Sequence, residues 1–340
     1  MKKFFLLSLL ITSTVFGYSL TQDNFAYAKT IKSNQSEKNI QKPDNGDEAN
    51  LTGQQYFEKG KEAYLKYSNF SYKEAISYFE KSLKFNRKDA VTLAYKAQAE
   101  ALLSRVIYQP KGGVVRATLE LKAYESAYIS GDLDPDLSEV HRALSMVYFV
   151  QERYDEGKEE AKKAIKINDK DAESYLLLWL NSPDKEMLKL STSTINYYYR
   201  SLDVESENIS KALELNPNLV LTYIQLGVAN ANQTKYFESK DNYNKVLKLN
   251  PQSEEAYTYL GFLHNSASHY DEAINSFEQA LEIDPQRSDA TYGIGVSYLK
   301  KRDKISAITY FKNACDANYR DACDVERNLR TDSRGGGGRN

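Results

Sequence analysis

A repeat interval of roughly 34 residues is the strongest constraint on what this chain can fold into. Gly227, Gly261 and Gly295 are evenly spaced at this interval, and Pro251 and Pro285 share the same spacing. A fixed interval that recurs several times indicates copies of one structural unit, whereas a single match carries little weight. The sequence therefore predicts a repeat architecture rather than a set of unrelated globular domains.

Each copy contains an apolar pattern at steps of three and four residues, which is typical of two short amphipathic helices. We expect the small residues to mark places where helices approach closely, and an aromatic residue of the second helix to fill the space that they leave. That aromatic residue is Tyr243, Phe277 or Phe311 in the three clearest copies. Because one unit cannot bury its own apolar face, its stability must come from stacking on its neighbours.

A unit of about 34 residues with small and aromatic residues in this order resembles the tetratricopeptide repeat, a helix–turn–helix unit that stacks into a solenoid. The resemblance implies an all-α superhelical solenoid of antiparallel helix pairs that ends in a C-terminal capping helix. Function on such a scaffold lies in its surface and does not follow from the fold.

The same frame divides residues 53–331 into about seven units and a capping helix. The second and fourth units are expanded by the same amount, and the other five are close to the standard length. In the second unit we expect helices over roughly Ala90–Val106 and Val115–Ser130, with a turn-forming loop between them. The cap is expected over Arg320–Leu329, followed by a flexible, Gly-rich tail over 332–340. The predicted units are 53–89, 90–137, 138–171, 172–219, 220–253, 254–287 and 288–321.

Two units depart from the regular pattern. In the first unit, we expect the first helix to be stretched by a few residues through Lys66–Ser71. In the fourth unit, Trp179 stands at a position that is normally small, and Tyr197-Tyr198-Tyr199 follow later. We favour added residues that extend the helices and pack over Trp179. The alternative is an aromatic patch that binds a partner or joins subunits.

Residues 1–28 are typical of a secretory signal, with two lysines before the apolar run Phe4–Phe16. Cleavage is expected after Ala28, which ends a small-x-small motif, or after Gly17. An uncleaved membrane anchor and a buried N-terminal helix are the alternatives. Residues 29–52 are polar and balanced in charge, which predicts a disordered linker. We therefore expect an exported, periplasmic or otherwise extracytoplasmic protein that contacts a membrane only through an uncleaved signal.

The charge balance argues against a nucleic-acid or membrane-surface partner. Charged residues make up 27% of the chain, but the formal net charge is only −2. A His-Glu-x-x-His run, a Gly-x-Ser-x-Gly motif and a glycine-rich phosphate loop are all missing from the sequence. We therefore expect no catalytic residue, no metal site and no cofactor.

The three histidines are His141, His264 and His269. Two of them fall at positions of first helices that usually carry packing residues. His264 and His269 are five residues apart, a spacing that does not place them on one helical face. A packing or surface role is therefore favoured over a ligand role.

Cys315 and Cys323 are the only cysteines of the chain. Their separation of eight residues, across a helix end and a turn, can bring the two Cα atoms within disulfide reach. Export would favour the oxidised pair. The pattern Ala-Cys-Asp, five other residues and Ala-Cys also resembles the cysteine-bearing helix ends of Sel1-like repeats. A disulfide here would tie the capping helix to the last unit.

Tetratricopeptide proteins usually bind ligands on the concave surface that the first helices of the units form, so the resemblance places a candidate groove there. Its apolar and aromatic residues, edged by asparagine, would suit an extended peptide or an amphipathic helix. The alternative is that the same residues pack on adjacent helices. The candidate groove residues are Arg142, Met146, Phe149, Ile224, Val228, Asn232, Phe262, Asn265, Tyr292 and Val296.

The leading hypothesis is a non-enzymatic scaffold or adaptor of the cell envelope that binds a protein or peptide in this groove. A second hypothesis rests on the Sel1-like resemblance alone and is a binder of, or enzyme on, peptidoglycan fragments of the cell wall. A third is a structural subunit that oligomerises through the aromatic insertion of the fourth unit. The sequence does not identify the partner or the oligomeric state.

Overall fold

A computed structural model describes residues 51–106, 114–184, 202–317 and 319–335. These residues form fifteen α-helices and no strand, which confirms the all-α fold class. The helices are α1 Gly53–Tyr64, α2 Asn69–Phe85, α3 Ala90–Val106, α4 Val114–Leu133, α5 Ser138–Val150, α6 Tyr154–Ile167, α7 Ala172–Leu180, α8 Glu207–Leu215, α9 Val220–Asn232, α10 Tyr236–Leu249, α11 Glu254–Ser266, α12 Tyr270–Ile283, α13 Ser288–Lys300, α14 Lys304–Asp316 and α15 Arg320–Gly335.

Several predictions from the sequence concern other parts of the chain. The secretory signal, residues 29–50 of the linker, the Tyr197-Tyr198-Tyr199 run and residues 336–340 of the tail lie outside the described residues. Within the described ranges, every helix is too short or too polar to cross a membrane.

Consecutive helices pack as pairs, from α1 with α2 to α13 with α14, and each second helix also contacts the first helix of the next pair. Most first helices begin at a polar cap. The hydroxyls of Thr52 and Ser253, for example, accept hydrogen bonds from backbone N–H groups of the first turns of α1 and α11. The short turn inside a pair contains a residue with positive φ in five units: Tyr67, Glu152, Thr234, Ser268 and Arg302. The helix pairs thus follow one another at short intervals, and each pair packs its apolar residues against those of its neighbours.

The small and aromatic positions fit together as expected. A Cβ atom added at Gly261 would lie 2.5 Å from a ring carbon of Phe277, and one added at Gly227 would lie 2.4 Å from Tyr243. Only glycine leaves room for the aromatic ring of the second helix at these positions. The prediction that the aromatic residue fills the space beside the small residue is confirmed.

In the fourth unit the large residue, Trp179, lies on the first helix, and the smaller residue, Ile209, lies on the second helix. Trp179 is only 2% exposed, and its indole N–H donates to the carbonyl of Asp203 at 2.6 Å. Ile209 occupies the position on the second helix that is aromatic in the regular units. Trp179 is therefore a core residue and not part of an exposed patch. The expectation of extended helices is wrong for the described residues, since α7 and α8 have nine residues each.

The last helix, α15, covers the end of the core. Tyr319 and Ala322 are buried, and the Tyr319 ring stacks on Tyr292 of α13 at a centroid distance of 4.7 Å. Cys315 and Cys323 are bonded in the structure, with their Cα atoms 4.8 Å apart. The helix continues past the expected end near residue 329, so residues 332–335, which the sequence assigned to the tail, are helical.

Candidate functional site

The ten candidate groove residues divide into two sets by burial. The first set is buried and lies on α5 and α9: Arg142, Met146, Phe149 and Ile224. The second set is half-buried and lies on α9, α11 and α13: Val228, Asn232, Phe262, Asn265, Tyr292 and Val296. The prediction that the first set lines an open groove is wrong, because other parts of the same chain cover these side chains.

The first unit of the chain makes hydrogen bonds far along the solenoid, beside the buried Arg142. The Tyr67 hydroxyl donates to Glu173 Oε1 at 2.8 Å, and the Tyr64 hydroxyl donates to Oε2 at 3.2 Å. Farther along, the side-chain amide of Asn250 donates to the carbonyl of Lys66 at 3.0 Å. These contacts join residues that are 106 to 184 positions apart. We call this set of contacts the closure.

Arg142 is the centre of a buried polar cluster beside the closure. Its Nη1 donates to both carboxylate oxygens of Asp171 at 3.1 Å, and its Nε donates to Gln98 at 3.0 Å. Glu173 Oε2 lies 3.4 Å from the same Nε. Burial alone would lower the pKa of Arg142, but Glu173 and Asp171 outweigh burial and raise that pKa well above its usual value. Arg142 therefore holds Glu173 in place for the two tyrosine hydroxyls.

The two tyrosines of the closure are neutral hydrogen-bond donors. Tyr64 and Tyr67 are fully buried, and their pKa values are raised first by burial and then by the nearby charge of Glu173. A phenol in such a site keeps its proton at neutral pH, so it can donate a hydrogen bond to Glu173.

A second buried cluster lies where the sixth and seventh units meet. Arg287 donates to both carboxylate oxygens of Asp289 at 3.1 and 3.3 Å, and Glu254 Oε1 lies 3.6 Å from its Nη1. Burial is the main cause that raises the pKa of Glu255 to about 7, against the opposing charge of Arg287. The pKa of Tyr72 in the first unit is raised by burial and next by Glu255, so the first unit also lies close to this cluster.

Sequence reasoning missed the closure, although two signals pointed toward it. Arg142 is a charged residue in an otherwise apolar stripe, and Asp171 and Glu173 occur one unit later. The irregular spacing in the first unit was the second signal. That spacing does not stretch the first helix, since α1 ends at Tyr64 and a turn with Tyr67 at φ 50° follows it.

The half-buried set forms a ladder on three consecutive first helices. Val228, Phe262 and Val296 occupy equivalent positions, one repeat apart, on α9, α11 and α13. The Phe262 ring lies 5.0 Å from the Phe277 ring in an edge-to-face contact. Each ladder residue thus has one side in the core and another that reaches the surface. We call Val228, Phe262, Tyr292 and Val296 the apolar ladder.

The two asparagines of the half-buried set make hydrogen bonds within the chain. Asn265 donates to the carbonyl of Gly293 at 3.2 Å and accepts from the Ser297 hydroxyl at 2.8 Å. Asn232 donates to the carbonyl of Val228 at 2.8 Å. Asn265 therefore links the sixth unit to the seventh, and the expectation that these amides bond to a ligand backbone requires that they exchange partners.

The histidines contact protein groups. His141 Nδ1 lies 2.6 Å from a Glu160 carboxylate oxygen, and its Nε2 lies 2.9 Å from the carbonyl of Pro135. The turn before α12 brings His264 and His269 together, although their spacing does not place them on one helical face. Both Nδ1 atoms approach the Tyr236 hydroxyl, at 2.9 and 3.3 Å. No group of three or more His, Cys, Asp and Glu side chains within the described ranges could hold a metal ion.

Comparison with known proteins agrees with this geometry. Residues 263–322 match the family model described as tetratricopeptide repeat. The crystal structure of yeast Tom70 aligns with a TM-score of 0.53 and 17% identity, over 97% of this chain and 78% of that one. The Cut9–Hcn1 hetero-tetramer structure of the APC/C aligns with a TM-score of 0.52 and 15% identity, over 81% and 55%. No curated protein sequence gives a significant match.

The helix pairs, the shared core and the glycine–aromatic contacts define an α-helical repeat solenoid. Residues 263–322 are similar to the tetratricopeptide repeat, and the two structural alignments show the same solenoid fold. The resemblance of the cysteine pair to Sel1-like repeats remains a prediction.

Proposed function

We propose that this protein is a non-enzymatic, extracytoplasmic scaffold that binds an extended peptide segment of a partner protein along the apolar ladder. The observation that carries the proposal is the repetition of a half-buried apolar residue at one position on α9, α11 and α13. Such a row can take alternate apolar side chains of an extended segment, each in a site that is already partly desolvated.

The closure limits where this segment can bind. Tyr64 and Tyr67 lie against Glu173 at the start of α7, and Arg142, Met146 and Phe149 of α5 are buried, so the first helices of the third and fourth units offer little free apolar surface there. The proposed partner segment is short, because the apolar ladder lies on the fifth, sixth and seventh units alone. Neighbouring helices lie about 8–10 Å apart, so three first helices span roughly 20 Å, or about six extended residues.

The test places a photo-crosslinking phenylalanine analogue at single aromatic positions of the full chain, in the cells that produce it. Phe262 and Tyr292 report on the apolar ladder. Phe237 on α10 is 76% exposed and therefore serves as the control for contacts made by any accessible aromatic residue. We expect one partner protein to be captured at positions 262 and 292 and not at position 237.

Two outcomes would contradict the proposal. Capture of the same partner at position 237, with none at 262 and 292, would move the binding surface to the second helices. Capture of no protein at any of the three positions would favour the cell-wall ligand that the resemblance of Cys315 and Cys323 suggests.

Export is the second part of the proposal and rests on the two lysines and the apolar run that begin the sequence. We expect the chain recovered outside the cytoplasm to start at Lys29 or at Tyr18, which intact-mass measurement distinguishes. A chain recovered only in the cytoplasm, with Met1 or its successor at the N-terminus, would contradict export and leave the binding proposal untouched.

A further inference from the structure

The outward face of α4 is more apolar than the matching face of other second helices. Of the eleven large apolar side chains that are exposed in the described residues, five lie on this helix, with exposed fractions of 37 to 57%. They are Val115, Leu121, Tyr128, Ile129 and Leu133. Three exposed charged residues lie among them: Lys122, Glu125 and Asp132. We call these eight residues the α4 face.

The next second helix, α6, shows what a solvated face looks like at the same positions. One repeat after Leu121, Tyr128 and Ile129 of α4, the equivalent residues 155, 162 and 163 of α6 are Asp, Lys and Lys. The repeat fold itself therefore does not require apolar residues here. An apolar stripe on one exposed helix, edged by charges, is the pattern of an association surface.

We propose that the α4 face binds the α4 face of a second copy of this chain, with the two helices antiparallel about a two-fold axis. The placement of charge along the helix supports this occupant. Lys122 lies toward the N-terminal end of the face and Asp132 lies toward its C-terminal end, ten residues later. An antiparallel pair sets Lys122 against Asp132 of the second copy, twice by symmetry.

The same register also pairs the apolar residues. When Lys122 faces Asp132, Leu121 faces Leu133, and Ile129 lies opposite the aliphatic part of Glu125. A parallel pair would instead set each charge against its own kind. Lys122 and Asp132 are therefore complementary across the contact only in the antiparallel orientation, as a contact between identical surfaces requires, while Glu125 faces Ile129.

The size of the face is that of a weak, transient interface. A 20-residue helix is about 30 Å long, so two such faces bury on the order of 800–1,000 Å², at the lower limit for a specific interface. We expect a dimer whose Kd is on the order of 10–100 µM.

Sedimentation of the full chain from about 1 to about 300 µM tests the proposal, because this range brackets the expected Kd. Ile129→Glu places a charge in the centre of the face and should weaken the dimer by at least about tenfold. Lys162→Glu changes the charge of the exposed α6 position that is equivalent to Tyr128, so it is the control and should leave the Kd unchanged. Because both sites are solvent-exposed, circular dichroism should show the same helix content for all variants.

A charge exchange tests the orientation. Lys122→Asp sets Asp against Asp132, and Asp132→Lys sets Lys against Lys122, so each single variant should weaken the dimer about three- to tenfold. The double variant restores opposite charges and should return the Kd to that of the wild type. A monomer at all concentrations, a dimer that Ile129→Glu leaves intact, or a double variant that is no tighter than the single ones would each overturn the proposal.

Discussion

Glu255 shows how one buried carboxyl group makes the stability of this solenoid depend on pH. Its side chain lies at the start of α11 and is only 4% exposed. Burial raises its pKa from 4.5 to about 7, although Arg287 opposes that shift. Between these two pH values the unfolded chain releases a proton that the folded chain retains. The free energy of unfolding therefore falls as pH rises from 4.5 to about 7 and then levels off.

Replacing this carboxyl group by an amide should remove the effect. We expect Glu255→Gln to raise the free energy of unfolding by about 2–3 kcal/mol relative to the wild type at pH 8, and to change it little at pH 4.5. Urea unfolding at the two pH values measures the difference. Glu278→Gln changes an exposed carboxylate on α12 and serves as the control. Equal gains at both pH values would mean that Glu255 does not titrate in this window.

Among the helices, α15 is the one whose position depends on a covalent bond. It follows the last unit and has a polar sequence, with only Tyr319 just before it and Ala322 within it buried among its described side chains. The bond between Cys315 and Cys323 supplements this small apolar contact. We expect reduction, or Cys323→Ser, to lower the free energy of local opening of α15 by roughly 2–3 kcal/mol, since a short loop is closed.

Amide hydrogen exchange of residues 320–331 measures that opening. A variant with both cysteines changed to serine should exchange as fast as the reduced wild type and should not respond to a reducing agent. If oxidised and reduced wild-type chains exchange at the same rate, the apolar contacts alone hold the helix. In that case the disulfide does not stabilise α15, and its presence indicates only that the chain was in an oxidising compartment.

At the scale of helices, much of the structure could be predicted because the signals are local. The repeat frame and the turn-forming residues from Tyr108 onward located the ends of α3 at Ala90 and Val106, and the contact of Gly261 with Phe277 followed from their sizes. The short helices around Trp179 could not be predicted in this way. In regular units the first helix has the small residue and the second helix has the aromatic one. In the fourth unit the first helix has the large residue and the second has Ile209, so the pattern of small residues does not predict where these helices end.

At the scale of the whole molecule, the closure joins the first unit to the fourth and fifth units, and the sequence alone did not reveal it. Each repeat predicts contacts with its neighbours, but Tyr67 and Glu173 meet only because small rotations add up over several units. The residues of a single repeat do not show this cumulative rotation. Met146 and Phe149, which were expected on an open groove, lie in the core instead, where Arg105 and Tyr154 contact the Phe149 ring.

If the closure is present, a substitution in the first unit should affect a distant helix, which would not happen in an open solenoid. Tyr67→Phe removes the hydroxyl that donates to Glu173, and the buried carboxylate then loses one hydrogen bond, at a cost of about 1–3 kcal/mol. Hydrogen exchange should therefore accelerate in two places at once: the turn between α1 and α2, and the first turn of α7, which is far away along the chain.

Tyr223→Phe is the matched control for this experiment. The Tyr223 hydroxyl donates to the carbonyl of Pro217 at 2.9 Å, a contact between residues six positions apart, so its loss should accelerate exchange only near the start of α9. In a solenoid without the closure, Tyr67→Phe would likewise affect only its own unit and α3. Faster exchange confined to those helices would show that the first unit is not held by α7, and the groove in front of α5 and α7 would then be open to a partner. Coupled exchange at both sites would instead leave α9, α11 and α13 as the first helices that a partner can reach.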